Sequence, residues 1–410
     1  MSYPYVLLGD YIDILSGFAF KSKDFSENGI PVIKIKNIVP PYVTLEDLSY
    51  VPNEIAKSNQ KYLLTYNDVL IALTGSHINQ MASVVGRIAR VKYNIPSLLN
   101  QRVGKITVKN EGSCDINYVY YFLSQEQIKI ALASKAGGAA NQANISPSDI
   151  KKLIIPLPPI EIQRRIADIL SAYDDLIENN RKQIKLLEEA AQRLYQEWFV
   201  DLRFPGHKHT KIVDGVPEGW RIQAVSDFGA VVTGKTPSTS KPEYYDGNIP
   251  FVTIPDMHNT IFPLSTEKRL SEQGANTQKN KFLPPDSVMV SCIATVGLVN
   301  IASEWCQTNQ QINSVILEDN KDLYFFYFAM KRIKSLLDGV GSNGATMTNV
   351  NKTKFESIKI LYPGNYLTNC FFEFSMPIFQ KILVLSKVNQ SLQQARDRLL
   401  PKLMSGEVEV

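Results

Sequence analysis

The chain has 410 residues, of which 44% are hydrophobic and 20% are charged, and its formal net charge is +4. One hydrophobic core stops growing at roughly 250 to 300 residues, so we expect at least two globular domains. No apolar run reaches the roughly 18 residues that a membrane-spanning helix needs, and the N-terminal segment lacks the features of a signal peptide. The sequence therefore predicts a cytoplasmic protein without a membrane partner.

The chain has four cysteines, and no two of them have the close spacing that is typical of a metal site. We therefore expect buried, inert thiols in a reducing compartment. The slightly basic charge permits a polyanionic partner but does not demonstrate one.

The sequence contains two copies of one unit. Residues 9–22 (GDYIDILSGFAFKS) resemble residues 226–238 (SDFGAVVTGKTPS), and short β-branched runs then recur in the same order in both copies. The further matching pairs are 29–38 with 248–257, 67–73 with 286–292, 100–108 with 309–317, 116–134 with 323–339, and 144–158 with 349–363. Most of these runs predict strands, and 116–134 and 323–339 predict helices. Each copy is thus predicted to be an α+β domain of roughly 150 residues.

Residues 229–236 (GAVVTGKT) match the pattern of a phosphate-binding loop. Such a loop cradles phosphates only between a buried strand and a helix N-terminus, whereas Pro237 and Pro242 block a helix here. The first copy has Ile12 at the counterpart of Gly229, so the pattern is missing from one of two equivalent units. We interpret the match as a coincidence of turn residues and not as evidence for an ATPase.

A long helix is predicted after each copy. Residues 159–199 lack glycine and interior proline, and apolar residues recur in steps of three and four with Asn180 as the polar exception. The C-terminal stripe is less regular and has Asn389 at an apolar position. The stripes comprise Ile162, Ile166, Ile169, Tyr173, Ile177, Ile184, Leu187, Ala191, Leu194 and Trp198, and Ile378, Ile382, Leu385, Leu392, Leu399 and Leu403.

We expect these two helices to bury their stripes against each other as an antiparallel coiled coil that separates the two globular units. The alternative is that each helix folds back on its own domain. The segment between the first long helix and the second copy is rich in Gly, Pro and charge and predicts a linker. His207 and His209 lie in it without further metal ligands nearby, so a solvated tether is favoured over a metal site.

The sequence shows no catalytic constellation, and the prediction is that the chain is not an enzyme. The tripeptide at 40–42 (PPY) is similar to part of an amino-methyltransferase motif, but Val39 stands where an amide or acid is required. Serine-hydrolase elbows, zinc helices and paired nuclease carboxylates are also missing. The sequence therefore predicts a binding protein, with no metal or cofactor of its own.

Polar loops in both copies carry the residue types that read base edges, because Arg and Lys pair with guanine while Asn and Gln pair with adenine. Simple solvation of these loops is the alternative for any single residue. The candidates in the first copy are Lys34, Lys36, Asn37, Thr74, Ser76, His77, Asn79, Gln80, Asn141 and Gln142. The candidates in the second copy are Lys235, Thr236, Ser238, Lys241, Asp256, His258, Asn259, Ser342 and Asn343.

Nearly the whole chain resembles the specificity (S) subunits of type I restriction-modification systems. The resemblance rests on residues 155–170 (IPLPPIEIQRRIADIL), 188–206 (EEAAQRLYQEWFVDLRFPG), 216–220 (VPEGW) and 396–410 (RDRLLPKLMSGEVEV), together with the two-copy layout. Two departures are Ile162, where members often have an acidic or small residue, and the aromatic segment 370–379.

The resemblance implies a chain that recognises double-stranded DNA through two target-recognition domains, each reading one half of a bipartite sequence. Implied partners are two modification subunits, which bind S-adenosylmethionine and methylate adenine, and two motor-nuclease restriction subunits that use ATP and magnesium. The implied layout is a first target-recognition domain at 1–155, a central helix at 156–200, a linker at 201–219, a second target-recognition domain at 220–362 and a C-terminal helix at 363–410.

Residues that both copies share are expected to serve the scaffold or to contact phosphates, because the two half-sites of a bipartite target generally differ. Such residues are Asn100 and Asn309, Gln101 and Gln310, and Gly138 and Gly344. The competing hypothesis is a non-catalytic adaptor whose paired helices bind protein partners, and a stand-alone enzyme is a third.

Overall fold

The computed structural model describes residues 3–75, 85–135, 143–293, 295–333 and 349–410. The chain forms two compact units, unit 1 with residues 1–177 and 392–410, and unit 2 with residues 178–391. Both units combine sheets with helices, and both long helices contribute one part to each unit.

The strands of unit 1 form a sheet in the order β2-β12-β8-β10-β5-β4, a second sheet in the order β6-β3-β11-β7, and the pairs β1-β14 and β13-β9. These strands are β1 (Tyr5–Leu7), β2 (Ile12–Ser16), β3 (Ile30–Ile33), β4 (Ile38–Val39), β5 (Tyr42–Val43), β6 (Ser49–Val51), β7 (Leu63–Leu64), β8 (Val69–Ala72), β9 (Thr74–Gly75), β10 (Ile88–Arg90), β11 (Ser97–Leu99), β12 (Val103–Val108), β13 (Ala143–Asn144) and β14 (Ile154–Pro156).

The strands of unit 2 form sheets in the orders β18-β24-β21-β22 and β20-β19-β23, and the pairs β15-β16 and β17-β25. These strands are β15 (Ile212–Val213), β16 (Val216–Pro217), β17 (Arg221–Ala224), β18 (Gly229–Thr233), β19 (Tyr245–Val252), β20 (Lys268–Leu270), β21 (Val288–Ser291), β22 (Val299–Ile301), β23 (Gln307–Thr308), β24 (Ile312–Leu317) and β25 (Lys359–Tyr362).

The helices are α1 (Asn53–Ser58), α2 (Ile116–Ser124), α3 (Glu126–Lys135), α4 (Pro147–Lys151), α5 (Ile160–Tyr195), α6 (Glu272–Asn276), α7 (Leu323–Lys331), α8 (Lys352–Glu356) and α9 (Asn365–Ser405). The central long helix α5 continues into a π-helical turn, Gln196–Val200. The predicted helix at 116–134 is in fact two helices, because the chain leaves helical geometry at Gln125. The short helices α4 and α8 begin at equivalent caps, where the side chains of Ser146 and Asn351 accept a backbone N–H three residues later.

The predicted repeat is confirmed strand by strand. The sheet order β18-β24-β21-β22 of unit 2 corresponds to β2-β12-β8-β10 of unit 1. The central strands β8 and β21 are buried on both faces, because alternate side chains enter two different cores. The pairing of β1 with β14 in unit 1 recurs as β17 with β25 in unit 2.

The phosphate-loop pattern is confirmed as a coincidence. Its first half is strand β18, which pairs antiparallel with β24, and the backbone N–H of Lys235 donates to the carbonyl of Thr308 at 3.0 Å. Gly234 occupies the place that Gly17 has in unit 1, since an added Cβ would meet the carbonyl of Asn309 at 2.2 Å and that of Asn100 at 2.3 Å, respectively. These glycines allow two backbone segments to approach closely, which explains why the turn residues resemble a nucleotide-binding loop.

The two long helices run antiparallel within each unit, as predicted. In unit 1, Ile166 and Leu170 of α5 share a core with Leu403 near the end of α9. In unit 2, Tyr195 of α5 lies 6.0 Å from Phe371, near the start of α9. Helix α9 continues through Pro377 and Pro401, so the packing of its apolar face outweighs the hydrogen bonds that the prolines remove.

The predicted stripe of α5 is partly displaced by one residue. Ile169 and Tyr173 are only half-buried, whereas their neighbours Leu170 and Asp174 are buried. The two polar residues of the stripes, Asn180 and Asn389, are both buried, and Asn180 Nδ2 donates to Asn389 Oδ1 at 2.9 Å. A buried amide that finds such a partner fixes the register of a helix pair.

A buried ionic network joins the sheet of unit 1 to both long helices. Arg90 of β10 is 1% exposed, and its guanidinium donates to Asp174 of α5 at 3.0 Å. The same carboxylate accepts from Arg396 of α9 at 2.5 Å and from the Tyr121 hydroxyl at 2.7 Å. The Asp174 carboxylate therefore compensates the charges of two arginines, from β10 and α9, and also accepts from the Tyr121 hydroxyl of α2.

Unit 2 has apolar residues at the corresponding places. The repeat aligns Arg90 with Ile301, Tyr121 with Phe328 and Asp174 with Phe379, and the rings of Phe328 and Phe379 are 5.9 Å apart. Both copies thus dock on the long helices through the same positions, but one uses charge and the other uses aromatic packing.

The segment predicted as a solvated tether is partly packed against unit 2. Phe204 is buried and its ring lies 5.0 Å from that of Trp220, while β15 and β16 form a small hairpin. Within the segment His207 and His209 flank Lys208 on a short 3-10 turn.

We expect Arg90→Leu to lower the free energy of unfolding by about 1.5–3 kcal/mol, because Asp174 loses one charged hydrogen bond while Arg396 still compensates its charge. Chemical denaturation with circular dichroism measures the change. Arg164→Leu on the exposed face of α5 is the matched control, with an expected change within about 0.5 kcal/mol. The triple variant Arg90→Ile, Asp174→Phe and Arg396→Ala gives unit 1 the apolar residues of unit 2. We expect it to regain most of the free energy of unfolding that Arg90→Leu loses. A loss in the control equal to that of Arg90→Leu would contradict this account.

Candidate nucleic-acid interface

Three candidate residues of unit 1 lie on one 3-10 turn, Ile35–Asn37, and the residue before it. Lys34 lies over the ring of Phe25 at 4.0 Å and donates to the Ser49 hydroxyl at 2.8 Å. Partial burial, reinforced by the charge of Lys36, lowers the pKa of Lys34. Lys36 is exposed and pairs with the still more exposed Asp47 at 3.2 Å, a contact that contributes little and leaves the ammonium group available.

Asn37 is placed differently from the two lysines. It is 1% exposed, its Oδ1 accepts from the backbone N–H of Lys34 at 3.1 Å, and its Nδ2 donates to the carbonyl of Glu46 at 2.9 Å. Both ends of the amide are therefore used inside the protein, and the side chain holds the turn in shape.

Asp256 has the same role at the corresponding turn of unit 2. Its Oδ2 accepts from the backbone N–H of Thr253 at 2.8 Å, and its Oδ1 accepts from the backbone N–H of Glu267 at 2.8 Å. The two residues occupy the same position in the repeat, so the structure gives both a scaffold role and directs neither toward a base edge.

The next candidates of unit 2, His258 and Asn259, are exposed at the end of this turn. The backbone on either side is anchored by the buried Asn300, whose Nδ2 donates to the carbonyls of Met257 at 3.2 Å and Thr260 at 2.6 Å. Asn259 has a φ of 57°, a left-handed conformation that asparagine tolerates better than most residues. The two polar side chains are thus displayed on a well-held loop.

Residues 235–241 form a second exposed loop of unit 2. Lys235, Ser238 and Lys241 are exposed, and the Thr236 hydroxyl donates to Gln310 Oε1 at 2.6 Å. This contact brings Thr236 to Gln310, one of the residues shared by both copies. Lys241 is less free, since its ammonium group donates to the Tyr244 hydroxyl at 3.1 Å, a hydrogen bond that raises the pKa of Lys241.

A basic turn at Lys279–Lys281 adjoins this loop and is absent from the predicted set. The buried Gln278 connects the two, because its Nε2 donates to the carbonyl of Lys235 at 2.8 Å and to Gln307 Oε1 at 2.7 Å. Among the residues that the structure describes, Lys235 and Lys279 form no ion pair. The buried Gln278 therefore lies between two lysines whose charges no ion pair in the described part of the chain compensates. The letters KNK were the available sequence signal, but nothing in the sequence brings them to Lys235.

The remaining candidates cannot be placed in the same way. Thr74 lies in β9, and its buried hydroxyl has no hydrogen-bond partner within the described part of the chain. The other candidates lie outside the described residues: Ser76, His77, Asn79, Gln80, Asn141, Gln142, Ser342 and Asn343.

The cysteines are largely as expected. Cys114, Cys292 and Cys306 are buried, and burial raises their pKa to about 12, about 11 and about 12, respectively, so these thiols remain protonated. Cys370 is half-buried. Among the described residues no group of three or more His, Cys, Asp and Glu side chains is placed to hold a metal ion. Of the helices in those ranges, none is both long and apolar enough to cross a bilayer.

The family model for the type I restriction modification DNA specificity domain matches the chain twice, over residues 3–189 and 217–365. A specificity subunit of the type I restriction enzyme HindI of Haemophilus influenzae is 30% identical, with 87% of this chain and 85% of that protein aligned. A putative specificity subunit of the enzyme MjaX of Methanocaldococcus jannaschii is 25% identical over 98% of this chain and 93% of its own.

The fold agrees with the crystal structure of a type I restriction-modification S subunit from M. genitalium. That structure superposes with a TM-score of 0.60 at 16% identity, and the match covers 98% of this chain and 96% of the other. Two matches to the family domain and a relative aligned over most of both chains decide the family. The chain belongs to the specificity subunits of type I restriction-modification systems, the DNA-recognition subunits that are not themselves catalytic.

Proposed function

We propose that the chain reads a bipartite double-stranded DNA target, with a target-recognition domain at 1–155 for one half-site and another at 220–362 for the other. The observation that carries this proposal is that two copies of one scaffold present unlike side chains on equivalent turns. Lys36 in unit 1 and His258 with Asn259 in unit 2 are exposed next to the equivalent anchors Asn37 and Asp256.

The structure supports a division of labour between the candidate residues. The unshared side chains are the proposed base readers among the described residues: the exposed Lys36, Lys235, Ser238, Lys241, His258 and Asn259, and the half-buried Lys34. Lys279 and Lys281 are the proposed phosphate contacts, because they carry charge on a turn anchored by Gln278. His77, Asn79 and Gln80 remain proposed readers by sequence alone.

The proposed partners supply the chemistry. Two modification subunits would bind S-adenosylmethionine and methylate an adenine in each half-site, and two restriction subunits would use ATP and magnesium for translocation and cleavage. We place this complex in the cytoplasm. The chain itself recognises the target sequence and provides a surface on which the other subunits assemble.

Exposed apolar side chains on the long helices in unit 2 support this scaffold role. Leu186 on α5 is 64% exposed, and Val384 on α9 is 53% exposed. Both lie away from Ala191 and Ile382, which are buried in the seam, the apolar contact between the two long helices. Large apolar side chains that the helix pair does not need are typical of a protein-binding face.

We expect exchange of residues 1–155 for the corresponding domain of a homologue to change one half-site and leave the other unchanged. The transplanted domain must retain Arg90 and Tyr121, because both bond the Asp174 carboxylate. Mapping of methylated adenines in cells that carry the exchanged subunit and its modification partner measures the outcome. An unchanged target would contradict the modular reading.

We expect Lys279→Ala to weaken binding of all DNA sequences alike and to reduce the slope of log affinity against log salt by about 1. Asn259→Ala is expected to relax one base position at a cost of about 1–3 kcal/mol while leaving the salt slope unchanged. Fluorescence anisotropy of the assembled methyltransferase on cognate and single-mismatch duplexes at several salt concentrations separates the two. Asp256→Ala is the control, expected to lower the melting temperature through loss of a cap while retaining the target sequence.

We expect Leu186→Glu together with Val384→Glu to weaken binding of the modification subunit at least about tenfold, because a charge then enters an apolar contact. Gln192→Glu together with Gln394→Glu, at exposed positions of α5 and α9, adds the same two charges and is the control that should bind normally. Analytical ultracentrifugation of mixed subunits measures the affinity. An adaptor that binds only proteins would show the same loss, but its complex would not retain DNA in a salt-dependent manner.

A further inference from the structure

Two polar pairs cross between the long helices. In unit 1, Asp174 of α5 accepts from Arg396 of α9 at 2.5 Å. In unit 2, Asn180 of α5 donates to Asn389 of α9 at 2.9 Å. Asp174, Asn180 and Asn389 are all buried, so each pair has been withdrawn from water and depends on its partner.

The internal repeat gives each of these residues a counterpart on the other helix. Helices α4 and α8 and strands β14 and β25 lie 205 positions apart in sequence. Continued into the long helices, this spacing aligns Asp174 with Phe379, Asn180 with Leu385, Ile184 with Asn389 and Ala191 with Arg396. The contact of Phe328 with Phe379 in unit 2, which replaces that of Tyr121 with Asp174 in unit 1, supports the alignment.

The two polar pairs therefore have apolar counterparts. The antiparallel register that sets Asn180 against Asn389 also sets Ile184 against Leu385, and the register of Asp174 with Arg396 sets Ala191 against Phe379. The register of the helix pair is thus symmetric, but its polarity is not. Asp174 and Asn180 each bond a polar side chain of α9, and the repeat places an apolar residue at the counterpart of each of the four partners.

A second copy of the chain could offer its own central helix in the same register. Such a self-pair would set Asn180 against Ile184 twice, and it would set Asp174 against Ala191 twice, where Asp174 would keep Arg90 but lose Arg396. A self-pair of C-terminal helices would likewise set Asn389 against Leu385 and Arg396 against Phe379. Asp174, Asn180, Asn389 and Arg396 would each lose the hydrogen bond that joins α5 to α9 in the native pair.

We infer that Asp174 and Asn180 select the partner of the central helix, which is the C-terminal helix of the specificity subunit and not the central helix of a second copy. Apolar residues alone would not discriminate between these pairings, because the repeat gives both long helices the same register of apolar positions. Buried polar groups exclude the pairing that leaves them without hydrogen bonds. A dimer in which two chains exchange helices keeps all the native polar pairs. The buried polar residues therefore do not disfavour such a dimer.

The test uses the full-length chain with Asn180→Leu and Asn389→Leu together. The native seam keeps an apolar contact at this layer, and the self-pair now sets leucine against isoleucine. We expect the ratio of dimer to monomer to rise by about tenfold or more, measured by native mass spectrometry at several protein concentrations. A helix-exchanged dimer contains the same helix pairs as the monomer, so the substitution cannot raise its share.

Ile184→Leu with Leu385→Ile changes the apolar layer beside it and is the matched control, expected to keep the wild-type ratio. The single variant Asn180→Leu repeats the test with one change, because it removes the hydrogen bond between Asn180 and Asn389 from the monomer, whereas the self-paired dimer has no such bond to lose. The inference is overturned if folded leucine variants keep the wild-type ratio, or if the control raises it as much as they do.

Discussion

The burial of one apolar seam along two long helices is the constraint on which the rest of the structure depends. Neither α5 nor α9 can be stable alone in water, because helical stability in proteins comes mostly from packing of an apolar face. Each fully buried Leu, Ile or Phe contributes about 1.5–3 kcal/mol, and the seam contains such residues in both units, among them Ile166, Ile177 and Ile382. Within each unit, the globular copy adds its own core to the helix segments that belong to that unit.

The copies also show how one scaffold can carry different surface chemistry. Strand order, pairing register and helix caps are retained between them, while the side chains on the equivalent turns differ. Asn37 and Asp256 make this possible, because each fixes its turn through hydrogen bonds to the backbone, while Lys36 and His258 remain exposed. A change at Lys36 or His258 therefore alters the surface without disturbing a core.

Much of the fold could be predicted from the sequence, because repeated β-branched runs and a stripe of three- and four-residue steps are direct records of sheets and helices. The repeat exposed the false phosphate loop, and the two asparagines could be recognised as exceptions in their stripes. Their hydrogen bond could not be predicted, since it depends on the relative register of helices more than 200 residues apart in sequence. The one-residue shift at Leu170 and Asp174 escaped the pattern for the same reason.

The candidate interface was less predictable, because exposure and hydrogen bonding decide what a polar loop residue does. Asn37 has the residue type of a base reader, yet it is buried and both ends of its amide form hydrogen bonds within the protein. Lys279 was missed because its closeness to Lys235 arises through the buried Gln278. Arg90 was missed because a single arginine in a strand gives no sign that it will be buried.

The unlike chemistry of the two helix junctions has a consequence for how such chains diversify. The module at the first position carries Arg90, which bonds the Asp174 carboxylate of α5. The module at the second position has Ile301 at the place of Arg90, and its Phe328 packs against Phe379 of α9. A module exchanged at the first position therefore keeps this buried contact only when it retains Arg90 and Tyr121. Movement from one position to the other requires compensating substitutions in the helix on which the module sits.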